Sequence, residues 1–237
     1  MPRKYVAFDI ETAKEVPGTD FNWKPHRPIG IACAAALPQD VQDPTIWHGK
    51  SADETPAPKM SLTEASQLVD HLVEFVSQGY TVLTWNGLGF DFDVLAEESG
   101  RTADCQNLAL HHVDMMFHVF CDRGFPVALS KAAQALRVPG KLGGMSGMQA
   151  PQLWAQGQHQ QVMDYVAQDV RMTLQVAQAC EEKQALDWIT RKGSVSSMKL
   201  RGGWRTVEKS LELPLPDTSW MKTPITRSDF TGWIHPQ

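Results

Sequence analysis

Acidic residues occur at three places in this chain of 237 residues with spacings that would suit shared metal ligands. Asp9 and Glu11 are separated by one residue, Asp91 lies in the first half of the sequence, and Asp169 follows Tyr165 by four positions. Carboxylate oxygens are hard ligands of the kind that Mg²⁺ and Mn²⁺ prefer. These residues could therefore hold divalent cations if the fold brings the three places together.

The first pair lies at the end of a short apolar segment, Lys4 to Ile10, which is predicted to be a buried strand. Alternate residues of a strand point to the same face, so Asp9 and Glu11 are expected to project together. Two neighbouring carboxylates repel each other unless a cation lies between them or one is protonated. Alone, the pattern also fits solvated acids at a strand end, so it indicates a metal site only in combination with other ligands.

Asp91 comes after a second β-prone segment, Tyr80–Trp85, which is also predicted to be a strand. An Asn-Gly pair at 86–87 allows the backbone to turn sharply and to return Asp91 toward the first pair. The structural alternative is an aspartate that stabilises the first turn of a helix, an interpretation that suits Asp93 better.

Tyr165 and Asp169 lie on a predicted helix over residues 158–183. Residues four apart share one face of a helix, so the phenol and the carboxylate can enter the same cleft. Asp164, one position before the tyrosine, is expected to point to solvent.

The hydrophobic pattern predicts one α/β domain over residues 1–190 and a C-terminal extension over 191–237 that packs on or near it, with a possible short hairpin. A helix is expected to begin at the capping box Ser61-Leu62-Thr63-Glu64. The other predicted helices cover 90–98, 107–121, 129–136 and 158–183, the strands cover 4–10, 29–37, 44–49 and 80–85, and 139–151 is expected to be irregular.

The net charge of −5 argues against a protein that coats nucleic acid by bulk electrostatics, but it does not exclude an acidic metal site. Residues 191–237 contain eight Lys/Arg and four Asp/Glu, a net charge of +4, which leaves −9 for the rest of the chain. The extension is therefore chemically distinct from the domain before it.

The four cysteines are scattered and include no Cys-x-x-Cys pair, so reduced thiols are expected rather than a zinc site or a disulfide framework. The N-terminus lacks the apolar segment of a signal peptide, and no apolar stretch approaches the ~20 residues that span a bilayer. These features predict a soluble, cytoplasmic protein without a membrane partner.

Taken together, the three acidic places resemble the motifs of the DEDD exonucleases, tyrosine subclass, over roughly residues 4–180. The resemblance is greatest to the exonuclease domain of family-B DNA polymerases, here without a polymerase domain. It implies an RNase H-like fold, in which a mixed central sheet is flanked by helices. The matching motifs are Asp9-Ile10-Glu11, Asn86-x-x-x-Phe90-Asp91 and Tyr165-x-x-x-Asp169.

The resemblance implies a 3′→5′ exonuclease that uses two Mg²⁺ or Mn²⁺ ions and releases nucleoside 5′-monophosphates. The four acids would be the metal ligands, and Tyr165 would orient the attacking water. Its unperturbed pKa near 10 argues against a role as a free base at neutral pH. The substrate would be a single strand or another 3′ end of DNA or RNA, with DNA slightly favoured. The expected substrate-binding residues are Thr12, Asn86, Gly87, Phe90 and Lys141.

Several of these interpretations have a structural alternative. Phe90 could stack on a base or simply pack in the core. The glycine-rich loop 140–147, which lacks the P-loop pattern, could close over a 3′ end, with Lys141 near a phosphate, or be a plain connection. His111 and His112 are expected to be buried and hydrogen-bonded, and Asp114 to be structural.

The basic tail contains three tryptophans, Trp204, Trp220 and Trp233. These could grip a single strand, or they could pack the tail onto the domain. Two other functional classes also stay open for the whole chain. One is a non-catalytic nucleic-acid-binding module, and the other is a metal-dependent hydrolase of small phosphates.

Overall fold

The computed structural model describes residues 3–18, 22–139 and 147–234. Its central sheet has five strands: β1 (Lys4–Thr12), β2 (Ile31–Pro38), β3 (Thr45–His48), β4 (Tyr80–Thr84) and β5 (Val113–Asp114). The strand order is β3-β2-β1-β4-β5. β1 runs antiparallel to β2 and parallel to β4, so the sheet is mixed, as predicted.

The central strand β1 is buried on both faces, which explains why its sequence is apolar almost throughout. Val6, Phe8 and Ile10 pack into the core on one face of the sheet. Tyr5 and Ala7 pack into a second core on the opposite face. Each face is covered by its own set of helices, so the molecule has three layers.

The helices are α1 (Leu62–Ser77), α2 (Asp91–Ser99), α3 (Thr102–His111), α4 (Met115–Arg123), α5 (Leu129–Leu136), α6 (Ala150–Ala155), α7 (His159–Lys183), α8 (Val207–Leu211) and α9 (Ser228–Thr231). Helices α1, α2 and α3 pack on the face of Phe8, and α5, α6 and α7 pack on the face of Tyr5. The predicted capping box is confirmed, since the Ser61 side chain accepts from the Glu64 N–H. None of the described helices is both long and apolar enough to span a bilayer.

The prediction of one helix over residues 107–121 was wrong. α3 ends at His111, His112 adopts an extended conformation, and Val113–Asp114 pair with β4 before α4 begins. The side chain of Asp114 then caps α4 by accepting from the Phe117 N–H. Apolar residues on all faces of this region concealed the break, because a buried strand and a buried helix have the same composition.

The irregular stretch expected at 139–151 also ends earlier than predicted. A 3₁₀ turn occupies Gly147–Gln149, and α6 begins at Ala150 with Pro151 in its first turn. Proline is tolerated there because the N–H that it lacks would have no partner within the helix. Residues 140–146, including Lys141, lie outside the described part of the chain.

A two-stranded antiparallel hairpin follows α7 and consists of β6 (Ala185–Ile189) and β7 (Val195–Lys199). The rest of the tail lies against the α4 side of the domain. Trp204 is buried in the core that α7 covers, whereas Phe230 packs on Phe117 and Phe120. Two of the tail's large aromatic side chains therefore have a structural function.

Candidate active site

Asp9 and Glu11 continue the row of Tyr5 and Ala7, so they project from the face of β1 that α7 covers. α7 brings Asp169 to the same place. One carboxylate oxygen from each of these three residues lies within 4.8 Å of the others. Within the described ranges, this is the only group of three or more His, Cys, Asp or Glu side chains that is close enough to share a cation.

Asp91 reaches the same strand from α2, which packs on the face of the sheet opposite to α7. The pairing of β1 with β4 ends at Ala7 and Leu83, and β4 itself ends at Thr84, where it still pairs with β5. Asp91 begins α2 just beyond, and its Oδ1 accepts from the backbone N–H of Ile10 at 3.1 Å. The carboxylate thus bonds the backbone of β1 beyond the end of β4, directly beside Asp9.

Burial raises the pKa of Asp91 to about 7, although the hydrogen bond from Ile10 opposes the shift. A nearby cation would favour the charged carboxylate and lower this pKa again. Asp91 is not one of the three residues whose oxygens lie within 4.8 Å of one another. It therefore adjoins the group through Asp9 rather than being a member of it.

The turn that carries Asp91 is held from inside by Asp114. This fully buried carboxylate accepts from the N–H groups of Asn86 and Phe117 at 3.0 Å through Oδ1, and from Leu88 at 2.9 Å through Oδ2. Two of these donors belong to the turn and the third belongs to α4. Asp114 therefore links the turn to the rest of the fold, and the expectation of a structural role is supported.

A second buried connection holds the base of the same turn. The Gly87 N–H donates to the hydroxyl of Thr84 at 3.0 Å, and that hydroxyl lies 3.0 Å from Nε2 of His112. Nδ1 of His112 lies 2.7 Å from the Ala109 carbonyl, which can only accept. His112 must therefore carry its proton on Nδ1 and accept from Thr84 at Nε2. Burial lowers its pKa to about 3, which keeps the ring neutral.

The C-terminal tail supports the turn from outside. The indole N–H of Trp233 donates to the Leu88 carbonyl at 2.8 Å. The ring of Phe230 lies against Gly89, where an added Cβ would come within 2.9 Å of the ring. These contacts come from residues that lie far outside the three motifs, and no pattern in the sequence indicated them.

Tyr165 is almost fully buried and faces the acidic group. Its pKa is raised well above the ordinary value, chiefly by burial and then by the charges of Asp169, Glu11 and Asp9. The phenol is therefore neutral at physiological pH and can donate a hydrogen bond. Asp164, in contrast, is exposed and accepts from Gln160 on the surface of α7, as expected.

Gly147, the last residue of the glycine-rich loop considered above, lies close to this centre. A Cβ added to it would lie 3.8 Å from Oε2 of Glu11 and 4.0 Å from the hydroxyl of Tyr165. The 3₁₀ turn that precedes α6 therefore forms one wall of the acidic centre. Its only signal in the sequence was its place at the end of the glycine-rich loop.

The residues expected to bind substrate have different surroundings. Thr12 is buried next to an irregularity in the pairing of β1 and β2. Asn86 is half-buried with a φ of 79°, a conformation that asparagine tolerates better than most residues. Gly87 is buried, and a side chain there would collide with Thr84. Phe90 is half-buried, with its ring 5.4 Å from that of Trp23 in an edge contact. Lys141 is outside the described residues.

The donor set fits a divalent cation. Three carboxylates converge, two of them buried, and a cation would relieve their mutual repulsion. All the donors are oxygens, which suits Mg²⁺ or Mn²⁺ and does not suit a softer metal. The four cysteines are all buried and free, as expected, so none offers a thiolate site.

The family model RNase_H_2, of the RNase_H superfamily, matches residues 47–180, more than half of the chain. The chain belongs to the RNase H superfamily. The matched region of this RNase H superfamily member contains Asp91, Tyr165 and Asp169, whereas Asp9 and Glu11 precede it. No curated protein sequence matches the chain.

Among solved structures, this RNase H superfamily member is similar to the family B DNA polymerase from the hyperthermophilic archaeon Pyrobaculum calidifontis. The identity is 18% over 76% of this chain and 25% of that chain, with a TM-score of 0.52. A product-bound structure of exonuclease I is 16% identical over 77% of this chain and 44% of that chain, with a TM-score of 0.41. The chain thus spans less than half the length of either protein. The polymerase likeness supports the fold.

Proposed function

We propose that the chain is a metal-dependent 3′→5′ exonuclease of the DEDD type, tyrosine subclass. The observation that carries the proposal is the convergence of Asp9, Glu11 and Asp169 from a strand and a helix, with Asp91 beside them. Tyr165 supports the proposal, because the charges of Asp169, Glu11 and Asp9 act on its phenol.

In this proposal, Asp9, Glu11 and Asp169 hold Mg²⁺ or Mn²⁺, with Asp91 next to Asp9. The bound cations would supply positive charge to a phosphodiester and to the attacking water. The chain's own contribution is to hold four carboxylates in one place and to keep bulk water away from two of them. Without cations, this centre would repel a phosphate.

Tyr165 contributes a hydrogen-bond donor rather than a base. Burial is the main cause of the raised pKa of Tyr165, so the phenol keeps its proton and the hydroxyl can orient a water or a phosphate oxygen by donating a hydrogen bond. Asn86 and Phe90, which precede Asp91 in the chain, would contact the terminal nucleotide. DNA is slightly favoured over RNA as substrate.

The test uses purified wild type and Asp9→Ala with single-stranded DNA and RNA oligonucleotides in Mg²⁺, Mn²⁺ or EDTA. With a 5′ label, the wild type should give a ladder that shortens from the 3′ end, whereas a 3′ label should be released as a mononucleotide. Both signals should require metal and disappear in Asp9→Ala. A circular single strand, which has no end, should stay intact.

Three results would contradict the proposal. Cleavage of the circle would indicate an endonuclease. Binding of the oligonucleotides without shortening under any metal condition would favour the non-catalytic module. Turnover of small phosphate esters alone would favour the small-phosphate hydrolase.

A further inference from the structure

The three tryptophans of the tail have different surroundings. Trp204 is 2% exposed and Trp233 is half-buried, whereas Trp220 is 66% exposed. Burial of an indole is a large contribution to stability, so an indole left in water on a folded surface has a weak structural reason to be there. Trp220 is therefore the tail tryptophan that packing explains least.

Trp220 is nevertheless held in a defined position. Its indole N–H donates to the Asp217 carbonyl at 3.2 Å. The preceding residues are anchored by Arg227, which donates to the carbonyls of Leu213 at 2.8 Å and Pro214 at 3.1 Å. The chain around Thr218 is also pressed against Gly124, at the end of α4. The ring is therefore presented by an ordered segment, which lowers the entropic cost of binding.

Trp220 begins a line of residues that runs to Trp85 through one ring contact and one backbone hydrogen bond. Its ring makes an edge contact with Phe125, with ring centres 6.2 Å apart. Two residues after Phe125, the carbonyl of Val127 accepts from the indole N–H of Trp85 at 3.0 Å. Trp85 directly precedes Asn86, at the start of the turn that carries Asp91.

This line lies on the catalytic face of the sheet. Trp85 and Phe125 are half-buried and pack on the same core as α7, the helix that carries Asp169 and Tyr165. Its outer end lies in the basic part of the chain. Residues 191–237 have a net charge of +4 against −9 elsewhere, and Lys222, two residues beyond Trp220, is exposed.

We propose that Trp85, Phe125 and Trp220 form an aromatic track that binds single-stranded nucleic acid as it leads to the acidic centre. The direction of the bound strand, with its 3′ end at the carboxylates, rests on the proposed function. Bases of an unpaired strand stack on aromatic side chains whatever their sequence, and nearby cations neutralise the phosphates. The track would bind nucleotides upstream of the one that is removed.

The experiment compares wild type with Trp220→Ala, Trp220→Phe and Leu62→Ala. Leu62 is a matched control because it is also 66% exposed, but it lies on α1, which covers the opposite face of the sheet. Dissociation constants are measured in EDTA, where no cleavage occurs, by fluorescence anisotropy with single-stranded DNA and RNA of about 20 nucleotides, longer than many single-strand binding sites.

Trp220→Ala should weaken the binding of both long oligonucleotides about tenfold, which is the effect of losing one stacked base. Trp220→Phe should retain most of the affinity, and Leu62→Ala all of it. In Mg²⁺, Trp220→Ala should cleave a trinucleotide as fast as the wild type, since that substrate is too short to reach Trp220 at the outer end of the track. Equal affinities of Trp220→Ala and Leu62→Ala for the long oligonucleotides would overturn the proposal.

The two proposals fail in different ways. If the wild type shortens no oligonucleotide but Trp220→Ala loses affinity, the track is supported and the exonuclease proposal is not. If the wild type shortens oligonucleotides and Trp220→Ala binds them normally, the exonuclease proposal stands and the track is excluded.

Discussion

Asp9 and Asp91 both lie at the same stretch of β1, but they are positioned by different parts of the fold. Asp9 belongs to the strand itself, and Glu11 and Asp169 join it through the periodicity of a strand and of a helix. Asp91 is delivered by an irregular turn, and its Oδ1 accepts from the backbone N–H of Ile10 in the strand.

The turn depends on partners that are remote in the sequence. Asp114 and the Thr84–His112 pair hold it from inside, and Trp233 holds it from outside. We expect the group of Asp9, Glu11 and Asp169 to tolerate the loss of one charge with little effect on the fold, because that loss relieves their mutual repulsion. The turn cannot lose a partner without a cost in stability as well as in geometry. The residues expected to bind metal are thus distinct from the residues that hold the turn in place.

Asp169→Asn tests whether the acidic group can lose a charge without loss of the fold. Loss of one charged ligand should lower metal-dependent activity at least 100-fold, because cation binding supplies several kcal/mol of transition-state stabilisation. The melting temperature measured without metal should stay equal or rise, since one of three mutually repelling carboxylates becomes neutral.

Asp164→Asn is the matched control, because it changes an exposed aspartate five residues earlier on the same helix. It should alter neither activity nor melting temperature. A large fall in the melting temperature of Asp169→Asn would contradict this distinction between metal-binding and supporting residues, because it would show that this carboxylate also supports the fold.

Asp114→Ala tests whether the turn that carries Asp91 depends on its buried partners. Three backbone N–H groups lose their acceptor, and each buried orphan costs about 1–3 kcal/mol, partly offset because a buried charge is removed. We expect the free energy of unfolding in urea to fall by about 3 kcal/mol. Activity should fall as well, because the turn that delivers Asp91 is loosened.

Asp122→Ala serves as the control, on the helix α4 that Asp114 caps. Asp122 is exposed and forms a surface ion pair with Arg123 at 2.9 Å, so its removal should cost less than about 1 kcal/mol. Full activity in a strongly destabilised Asp114→Ala protein would mean that Asp91 does not depend on the turn.

The same comparison explains which parts could be predicted from the sequence. The acidic group followed from local rules, because alternation in β1 and the four-residue spacing in α7 fix which side chains share a face. The sheet and most helices followed from hydrophobic periodicity. The break at His112 did not, because the surrounding residues are apolar on every face.

The supports of the turn also could not be predicted. The hydrogen bond from Trp233 to Leu88 and the packing of Phe230 against Gly89 join residues far apart in the chain. Nothing in the local sequence distinguishes a tryptophan that donates to a remote carbonyl from one that lies in solvent. Only the packing of the tail determines that Trp233 is the former and Trp220 the latter.

The pH dependence of stability should show the support from His112. Its pKa of about 3 in the folded protein lies below the ordinary value of 6.5, because the ring is buried. Between these values the unfolded chain binds more protons, so this contribution is complete above pH 6.5 and is lost as the pH falls. From pH 6.5 to pH 5, His112 should remove about 2 kcal/mol of stability.

His112→Asn isolates this effect, since asparagine offers a donor and an acceptor but does not titrate. Other titrating groups are common to both proteins and cancel in the difference. The stability advantage of the wild type, measured by urea denaturation, should therefore shrink by about 2 kcal/mol over this pH range. A constant difference would show that His112 is accessible to protons in the folded state.

The smallest expected effect concerns the outer support of the turn. Trp233→Phe keeps most of the buried ring but removes the N–H that donates to Leu88, which should cost about 1 kcal/mol of stability and lower activity only a few-fold. Trp220→Phe makes the same chemical change in the same tail, at an indole that is 66% exposed, and should leave the melting temperature unchanged. The two substitutions should also separate by function, because Trp220→Phe leaves the turn intact and Trp233→Phe perturbs it. If both lower the melting temperature equally, the tail acts as one cooperative unit, and the turn has no specific support from Trp233.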